Sequence, residues 1–168
     1  MRFSSSAIVS ALLATGALAA PTPLTKRAGV LTAKSYADFQ VSDGVAGNAL
    51  AEVQAKFPID TSNLANVDPA DAKIISDARQ TAESAETDAF NPAIAAASGD
   101  AATALQNGKI KNKVLKLQLE VLDLGISAAQ SGKDNSAKIA QEQKKLDNNI
   151  ATDKKNAGQA SKSVQFSG

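Results

Sequence analysis

Neither cysteine nor histidine occurs in the 168-residue chain, and their absence excludes much of enzyme chemistry. Ser-His-Asp and Cys-His nucleophile systems are impossible, and the usual zinc and copper ligand sets are missing. Tryptophan is absent and aromatic residues make up only 4% of the chain, whereas glycosidases with paired carboxylates generally stack sugars on aromatic rings. We therefore expect a protein that is not an enzyme and needs no cofactor or metal.

An excess of charge of either sign is also missing, since 18 basic residues face 17 acidic ones. Proteins that bind nucleic acid concentrate basic residues on one surface. A near-neutral chain with few aromatic residues gives no electrostatic reason to expect nucleic acid as a partner.

The first 27 residues have the features of a secretory leader. Arg2 precedes an apolar region at 7–18, and an A-x-A site predicts a signal peptide at 1–19, cut after Ala19. The apolar region is short for a bilayer, so no transmembrane segment is expected; an N-terminal membrane anchor is the alternative. Residues 20–27 end in Lys26-Arg27, which predicts a propeptide with a kexin-type processing site, unless the basic pair is simply solvated.

Cleavage after Arg27 would leave residues 28–168, enough for one domain with its own core. Residues 1–27 hold three of the 18 basic residues and none of the 17 acidic ones, so the net charge would fall from +1 to −2. The secretory pathway is oxidising, but the chain has no cysteine with which to form a disulfide, so packing alone must stabilise this domain.

The densest run of large aliphatic residues after the leader lies at 108–130. On a helix these residues cover about 220°, against the roughly 100° that a surface helix needs, which predicts a central helix near 109–130. They also alternate with polar residues as in a strand, but leucine favours helix and no turn signal interrupts the run. Within the arc we predict a buried, hydrogen-bonded Gln118 and a close helix contact at Gly125. The apolar residues are Val114, Leu115, Leu117, Leu119, Val121, Leu122, Leu124 and Ile126.

Residues 35–57 predict a first amphipathic helix, although two glycines and an acid interrupt it. Gly44 and Gly47 each cost about 1 kcal/mol relative to alanine, which suggests close helix approach. Asp43 lies within the apolar stripe, so we expect a buried carboxylate paired with a lysine or a backbone group; ligand contact is the alternative. The stripe consists of Tyr36, Phe39, Ala46, Leu50, Val53 and Phe57.

Asp68-Pro69 is a cap and first-position pair that predicts a second helix, running to about Phe90. Asn91-Pro92 is interpreted in the same way, as the start of an Ala-rich helical segment at 92–105. The expected apolar stripe of the second helix is Ala70, Ile74, Ala78, Ala82, Ala85 and Ala89.

Two further boundaries complete the expected fold. Asn107-Gly108 either ends the Ala-rich helix or kinks it. After Gly132, apolar residues at three- and four-residue intervals predict a last helix whose seam runs from Ile139 to Val164. The sequence therefore predicts an all-α, single-domain helical bundle of four to five helices, which we expect to be a monomer.

Four lysines near the start of the central helix form a candidate surface patch for a phosphate, an anionic lipid or an acidic polysaccharide. A solvated collar on the protruding helix end is the alternative. The acids Asp60, Asp68 and Asp71 lack the pattern of a calcium-binding loop, and helix capping explains them better. The lysines of the patch are Lys109, Lys111, Lys113 and Lys116.

Three segments behind the leader resemble a group of small secreted proteins of filamentous fungi: residues 36–52 (YADFQVSDGVAGNALAE), 108–117 (GKIKNKVLKL) and 142–153 (EQKKLDNNIATD). The resemblance spans nearly all of residues 28–168 and carries no catalytic motif. The Ala-rich, helical character is also loosely similar to the hydrophobic surface-binding and cell-wall galactomannoprotein family.

A leader followed by a chain poor in catalytic chemistry predicts a secreted protein that acts by binding at the cell wall, a surface or a host target, as an effector does. An extracellular carrier of a lipid or another apolar small molecule is the first alternative, because Ala-lined helices around a central one can open a groove. A structural cell-wall component is the second.

Overall fold

The computed structural model describes residues 29–167. The predicted signal peptide at 1–19, with its cut after Ala19, and the propeptide ending in Lys26-Arg27 lie outside these residues. A 3₁₀ segment, Thr61–Asn66, and a π-helical turn, Glu86–Phe90, accompany the regular elements. The regular elements are α1 Tyr36–Phe39, β1 Gly44–Val45, α2 Ala49–Lys56, α3 Pro69–Ala85, α4 Asn91–Ala96, α5 Gly99–Ser131, α6 Ser136–Lys155 and β2 Ala160–Ser161.

Helix α5 is the centre of the bundle, and the predicted all-α, single-domain fold is confirmed. Helices α2, α3 and α6 all pack against it. Of its eight predicted apolar residues, only Val121 and Leu124 are half-buried, and the other six are buried. The helix begins at Gly99, earlier than predicted, and ends where Gly132 adopts a left-handed φ of 72°. Asn107-Gly108 therefore does not end a helix.

Gly108 lies inside α5 because another part of the backbone presses against it. A side chain at this position would overlap the carbonyl oxygen of Lys162 and would approach Phe90 Cε1 to 3.3 Å. The C-terminal segment that contains Lys162 is held by a hydrogen bond of 2.9 Å from Lys162 N to Ala104 O. The glycine therefore permits the chain end to lie directly on the central helix.

The prediction of one helix over residues 35–57 is wrong, because its two glycines turn the chain. Gly44 has a φ of 90° and Gly47 a φ of 120°, values that side-chain-bearing residues rarely adopt. The chain forms α1, then β1, then α2. All of the predicted apolar stripe is nevertheless buried except Leu50, which is half-buried, because the turn returns both short helices to the core.

A carboxylate from α6 holds the start of α2. Buried Asp153 accepts hydrogen bonds of 2.9 Å from both Gly47 N and Ala49 N. Gly47 also lies so close to Ala157 that a Cβ at Gly47 would come within 2.8 Å of the Ala157 Cβ. Since Asn48 makes no side-chain cap, Asp153 supplies acceptors for amides that the helix itself leaves unpaired.

Helix α3 begins as predicted, with Asp68 Oδ1 accepting from Ala70 N at 2.8 Å. The predicted stripe is wrong at its start: Ala70 is exposed and Ile74 half-buried, whereas Asp71 and Ile75 are buried. The register is shifted because two backbone amides satisfy the Asp71 carboxylate, so that it can be buried.

The predicted start of a new helix at Asn91-Pro92 is wrong as well, because α3 continues through the π-helical turn into α4. Phe90, at the junction, is in the α-region rather than in a capping conformation. Proline cannot donate the next helical hydrogen bond, and the wider π-helical turn accommodates that loss. The helical path that begins with α3 is first interrupted at Ala97 and Ser98, whose backbones are extended.

Helix α6 ends at Lys155, earlier than the predicted seam. Ala157 and Ala160 are exposed, and the chain turns to pair β2 with β1 in antiparallel register, Gly44 opposite Ser161 and Val45 opposite Ala160. Gly158, with a φ of 81°, forms this turn. The pairing joins the turn between α1 and α2 to the C-terminal segment.

Tyr36 joins the first helix to the core through a buried polar chain. Its hydroxyl donates to Asn112 Oδ1 at 2.9 Å, and Asn112 Nδ2 donates to Ala82 O at 2.8 Å. Burial raises the pKa of the Tyr36 hydroxyl to about 12, against the opposing effect of hydrogen bonds with Ser42 and Ser163. The buried network therefore favours the neutral phenol.

Candidate functional site

The predicted lysine patch is wrong at Lys111, whose side chain is fully buried. Its ammonium lies 2.8 Å from Glu52 Oε2 and donates to Asp43 O at 3.1 Å and Val45 O at 3.0 Å. Residue 111 lies four residues before Leu115, on the buried side of α5, so helical spacing could have identified it. Lys111 binds the β1 turn to the core and is unavailable to a ligand.

The other three lysines of the patch surround one carboxylate. Their Nζ atoms lie 3.9 Å (Lys109), 3.8 Å (Lys113) and 3.2 Å (Lys116) from Glu86 oxygens. Lys109 also donates to Asn91 Oδ1 at 2.6 Å. Partly exposed pairs of this kind contribute about 0–1 kcal/mol each, and they reduce the positive potential that the sequence alone suggests.

Asp43 is exposed, so the prediction of a buried carboxylate is wrong, because the helix that placed it in an apolar stripe does not form. Its expected pairing with a backbone group is confirmed: Oδ1 accepts from Ser163 N at 2.8 Å. Oδ2 accepts from Gln40 Nε2 at 2.7 Å. Asp43 thus fastens the C-terminal segment to the β1 turn.

Gln118 is half-buried, so the prediction of a buried amide is wrong. At Gly125, two turns further on the same side of α5, a Cβ would lie 2.8 Å from Leu64 Cδ1. Gly125 is closely approached, but by the Leu64 side chain of the 3₁₀ segment, so the predicted contact with another helix of the bundle is wrong.

A groove of about 370 Å³ lies between residues 30–34, the end of α2 and one face of α3; we call it the N-terminal groove. Its apolar surface comes from Leu31, Phe39, Phe57, Ile74 and Ala78. Ligand sites typically measure about 300–1,000 Å³ and are lined mainly by apolar and aromatic side chains with a few polar groups. The volume of the N-terminal groove lies in this range, and its lining combines apolar side chains with polar ones.

Buried Asp71 fixes the outer wall of the groove. Its carboxylate accepts from Val30 N at 2.8 Å and from Leu31 N at 2.9 Å, and a Cβ at Gly29 would lie 3.0 Å from Oδ1. Sequence reasoning assigned Asp71 to helix capping and missed this role, because its partners precede it by about 40 residues. The apolar Val30 and Leu31, just after the predicted processing site, were the available signal.

The rim of the groove carries Lys34, Lys56 and Asp77. Asp77 pairs with Lys73, with 2.7 Å between Lys73 Nζ and Asp77 Oδ2. Lys56 Nζ donates to the neutral carbonyl of Asp38 at 2.7 Å. An apolar interior with basic groups at its edge can hold an apolar body and leave a polar end in solvent.

A second depression, of about 490 Å³, lies between α3, α5 and α6; we call it the interhelical depression. Five basic side chains and three carboxylates line it, and several of them are paired. Arg79 Nε lies 3.1 Å from Glu120 Oε2, and Lys138 Nζ lies 2.6 Å from Glu142 Oε1. The basic residues are Arg79, Lys113, Lys116, Lys138 and Lys145, and the acids are Glu83, Glu120 and Glu142.

Within this depression, the carboxylate of Glu142 pairs with both Lys138 and Lys145. Burial alone would raise the pKa of its carboxyl, but hydrogen bonds from Lys138 and Lys145 outweigh that effect and hold the pKa below its usual value. The same hydrogen bond raises the pKa of the Lys138 ammonium. The depression is therefore a mutually neutralised charge network with a small excess of cations.

Among residues 29–167, no cluster of acidic side chains could hold a metal ion. No helix in that range has the length and apolar character needed to cross a bilayer. Asp60, Asp68 and Asp71 have separate roles: Asp60 accepts from Ser62 N, Asp68 caps α3, and Asp71 holds the segment before α1.

A family model described as Domain of unknown function (DUF8454) matches residues 31–165. The chain belongs to this family. The DUF8454 region includes Leu31 in the groove wall, Asp71, the buried Lys111 and the α2 clamp Asp153. No curated protein and no solved structure matches the chain.

Proposed function

We propose that the protein is secreted and acts by binding rather than catalysis, as an extracellular carrier of an apolar small molecule held in the N-terminal groove. The leader at 1–27 supports secretion. The observation that carries the binding site is the groove itself, whose buried lining residues Phe39, Phe57 and Ala78 are apolar and whose charged residues are all exposed.

The fixed geometry of the groove supports carriage over adhesion through a broad face. Phe57 and Ile74 belong to the core cluster and its margin, so the floor is held by packing. The outer wall is held by Asp71 through two backbone amides. A preformed site loses less conformational entropy on binding than a mobile one, which favours a small ligand.

The experiment uses the full-length gene and the protein recovered from the culture medium, with its N-terminus established by intact mass. The neutral fluorescent probe N-phenyl-1-naphthylamine is titrated against it. Ala55→Phe fills the groove from the exposed side of α2, and Ala51→Phe adds the same ring to an exposed site of α2 outside the groove.

We expect saturable binding by the secreted protein and by Ala51→Phe, and at least about tenfold weaker binding by Ala55→Phe, equivalent to 1.4 kcal/mol. Circular dichroism establishes that both variants are folded. Equal binding by the two variants would place the probe elsewhere, and an absence of saturable binding would rule out carriage. Retention of the protein in cells would contradict secretion.

The excess of cations in the interhelical depression favours a second candidate, binding to an anionic cell-wall or host surface. Five basic groups and three carboxylates line the depression, and even with Glu86, which pairs with Lys113 and Lys116, the cations remain in excess. Retention on phosphocellulose at neutral pH is the test, with Lys138→Glu/Lys145→Glu compared with the distant Lys34→Glu/Lys73→Glu. Loss of retention only in the first pair supports this candidate, and equal retention in both pairs contradicts it.

A further inference from the structure

The charges around the N-terminal groove are unequal in the part of the chain that the structure describes. Lys34 is exposed and pairs with no carboxylate of residues 29–167. Lys56 donates to a backbone carbonyl, which leaves its positive charge without a bonded carboxylate among residues 29–167. The acid of the rim, Asp77, is already paired with Lys73. Two cations therefore remain at the edge of an apolar groove.

The two cations belong to opposite walls. Lys34 ends the segment that Asp71 holds, and Lys56 ends α2. The same groove is lined by the apolar side chains of Phe39 and Phe57, whose ring centroids are 6.0 Å apart. A molecule whose apolar body covers these rings would bring its polar end to the lysines.

Resting on the proposed function, we infer that the ligand is an amphiphile with one carboxylate head, held by Lys34 and Lys56, and a single medium-length hydrocarbon chain in the groove. Ammonium–carboxylate hydrogen bonds are stronger than those between neutral groups. A volume of about 370 Å³ lies near the lower end of the range for ligand sites, which favours one chain over a two-chain lipid.

The test is displacement of N-phenyl-1-naphthylamine by decanoate and by 1-decanol, which have the same chain length and differ in head-group charge. At neutral pH we expect decanoate to bind about five- to tenfold more tightly than 1-decanol. High salt weakens the binding of decanoate and leaves that of the alcohol unchanged, because only the former depends on charge. Octanoate binds more weakly than decanoate, by about fourfold for each methylene removed from the groove.

Lys34→Gln is the decisive variant, because the side chain is exposed and the substitution breaks no hydrogen bond among residues 29–167. It should abolish most of the preference for decanoate, with Lys34→Arg restoring it and the distant Lys144→Gln having no effect. Lys56→Gln should act in the same direction.

The two possible failures are distinguishable. Equal binding of decanoate and 1-decanol, or a preference that survives Lys34→Gln, overturns the carboxylate inference and leaves carriage intact. If neither compound displaces the probe and the probe itself does not saturate, the proposed function fails and the inference fails with it.

Discussion

The ammonium of Lys111 lies 2.8 Å from Glu52 Oε2, although the Lys111 side chain has no exposed surface. Two carbonyls of the β1 turn, Asp43 O and Val45 O, complete its hydrogen bonds. This pair joins the central helix, α2 and the turn between the first two helices. Lys111, which the sequence suggests is a surface cation, thus links three elements from a buried position.

Replacing Lys111 by methionine should destabilise the protein by about 2–4 kcal/mol, because Asp43 O and Val45 O lose their donor. Urea unfolding followed by circular dichroism measures the change. Lys113→Met is the matched control on the same helix, and its partly exposed pair with Glu86 should contribute less than about 1 kcal/mol. Equal effects of the two substitutions would refute the assignment of Lys111.

The two glycines within α5 should respond to alanine to different extents. Gly108→Ala would place a methyl group against the Lys162 backbone, and a clash of this kind typically costs about 1–3 kcal/mol. Gly125→Ala meets only the flexible end of Leu64, so the helix propensity of alanine, about 1 kcal/mol, should largely offset the contact. Thermal unfolding of both variants tests this. A stabilised Gly108→Ala would contradict the contact of Gly108 with the Lys162 backbone.

Tyr36 should titrate late, and because it is the chain's single tyrosine the absorbance of tyrosinate reports it directly. Its folded pKa of about 12 lies above the ordinary value of 10.0. The stabilising effect of this burial is therefore complete below pH 10 and is lost as the pH rises toward 12, by up to about 3 kcal/mol. Tyr36→Phe should remove this alkaline loss and lower stability near pH 7 by about 1–2 kcal/mol, since Asn112 loses its donor. A midpoint near 10 in the folded protein would show that the ring is solvated.

Glu142 should make the protein sensitive to acid. Hydrogen bonds from two lysines hold its folded pKa below the ordinary value of 4.5. Its stabilising effect is present above pH 4.5 and is lost as the pH falls through the folded pKa, because protonation releases both lysines. Glu142→Gln should flatten the acid side of the stability profile measured by urea unfolding. The more exposed Glu83→Gln should change that profile less, and an unchanged profile in Glu142→Gln would refute the assignment.

The sequence predicts the fold well where a helical pattern of apolar residues extends over many residues and where turn or capping residues mark its ends. The apolar arc of α5, its end at Gly132 and the Asp68 cap of α3 all follow from local patterns. Residues 35–57 fail because an apolar stripe persists through Gly44 and Gly47, although their backbone conformations are left-handed. A side-chain pattern does not record the φ angle that a glycine adopts.

Much less of the candidate site could be predicted from the sequence. Asp71 and Asp153 each accept two backbone amides from segments about 40 or more than 100 residues away. Local reasoning gave the first a capping role and placed the second in an apolar seam. The groove itself is formed by residues 30–34, the end of α2 and α3, whose adjacency is a property of the tertiary fold alone.

The closure of β1 upon β2 gives this helical protein an unusually non-local last step in folding. Ser161 Oγ donates to Ser42 O across 119 residues, and Ser163 N donates to Asp43 across 120. Helical bundles fold quickly because their contacts are local in sequence, whereas contacts between distant segments form slowly. We expect α3, α5 and α6 to assemble first and the contact between β1 and β2 to form afterwards. Because this contact holds residues 42–45 against residues 160–163, a circular permutant of residues 29–167, with a linker between its original ends and new termini at 132–134, should retain the fold.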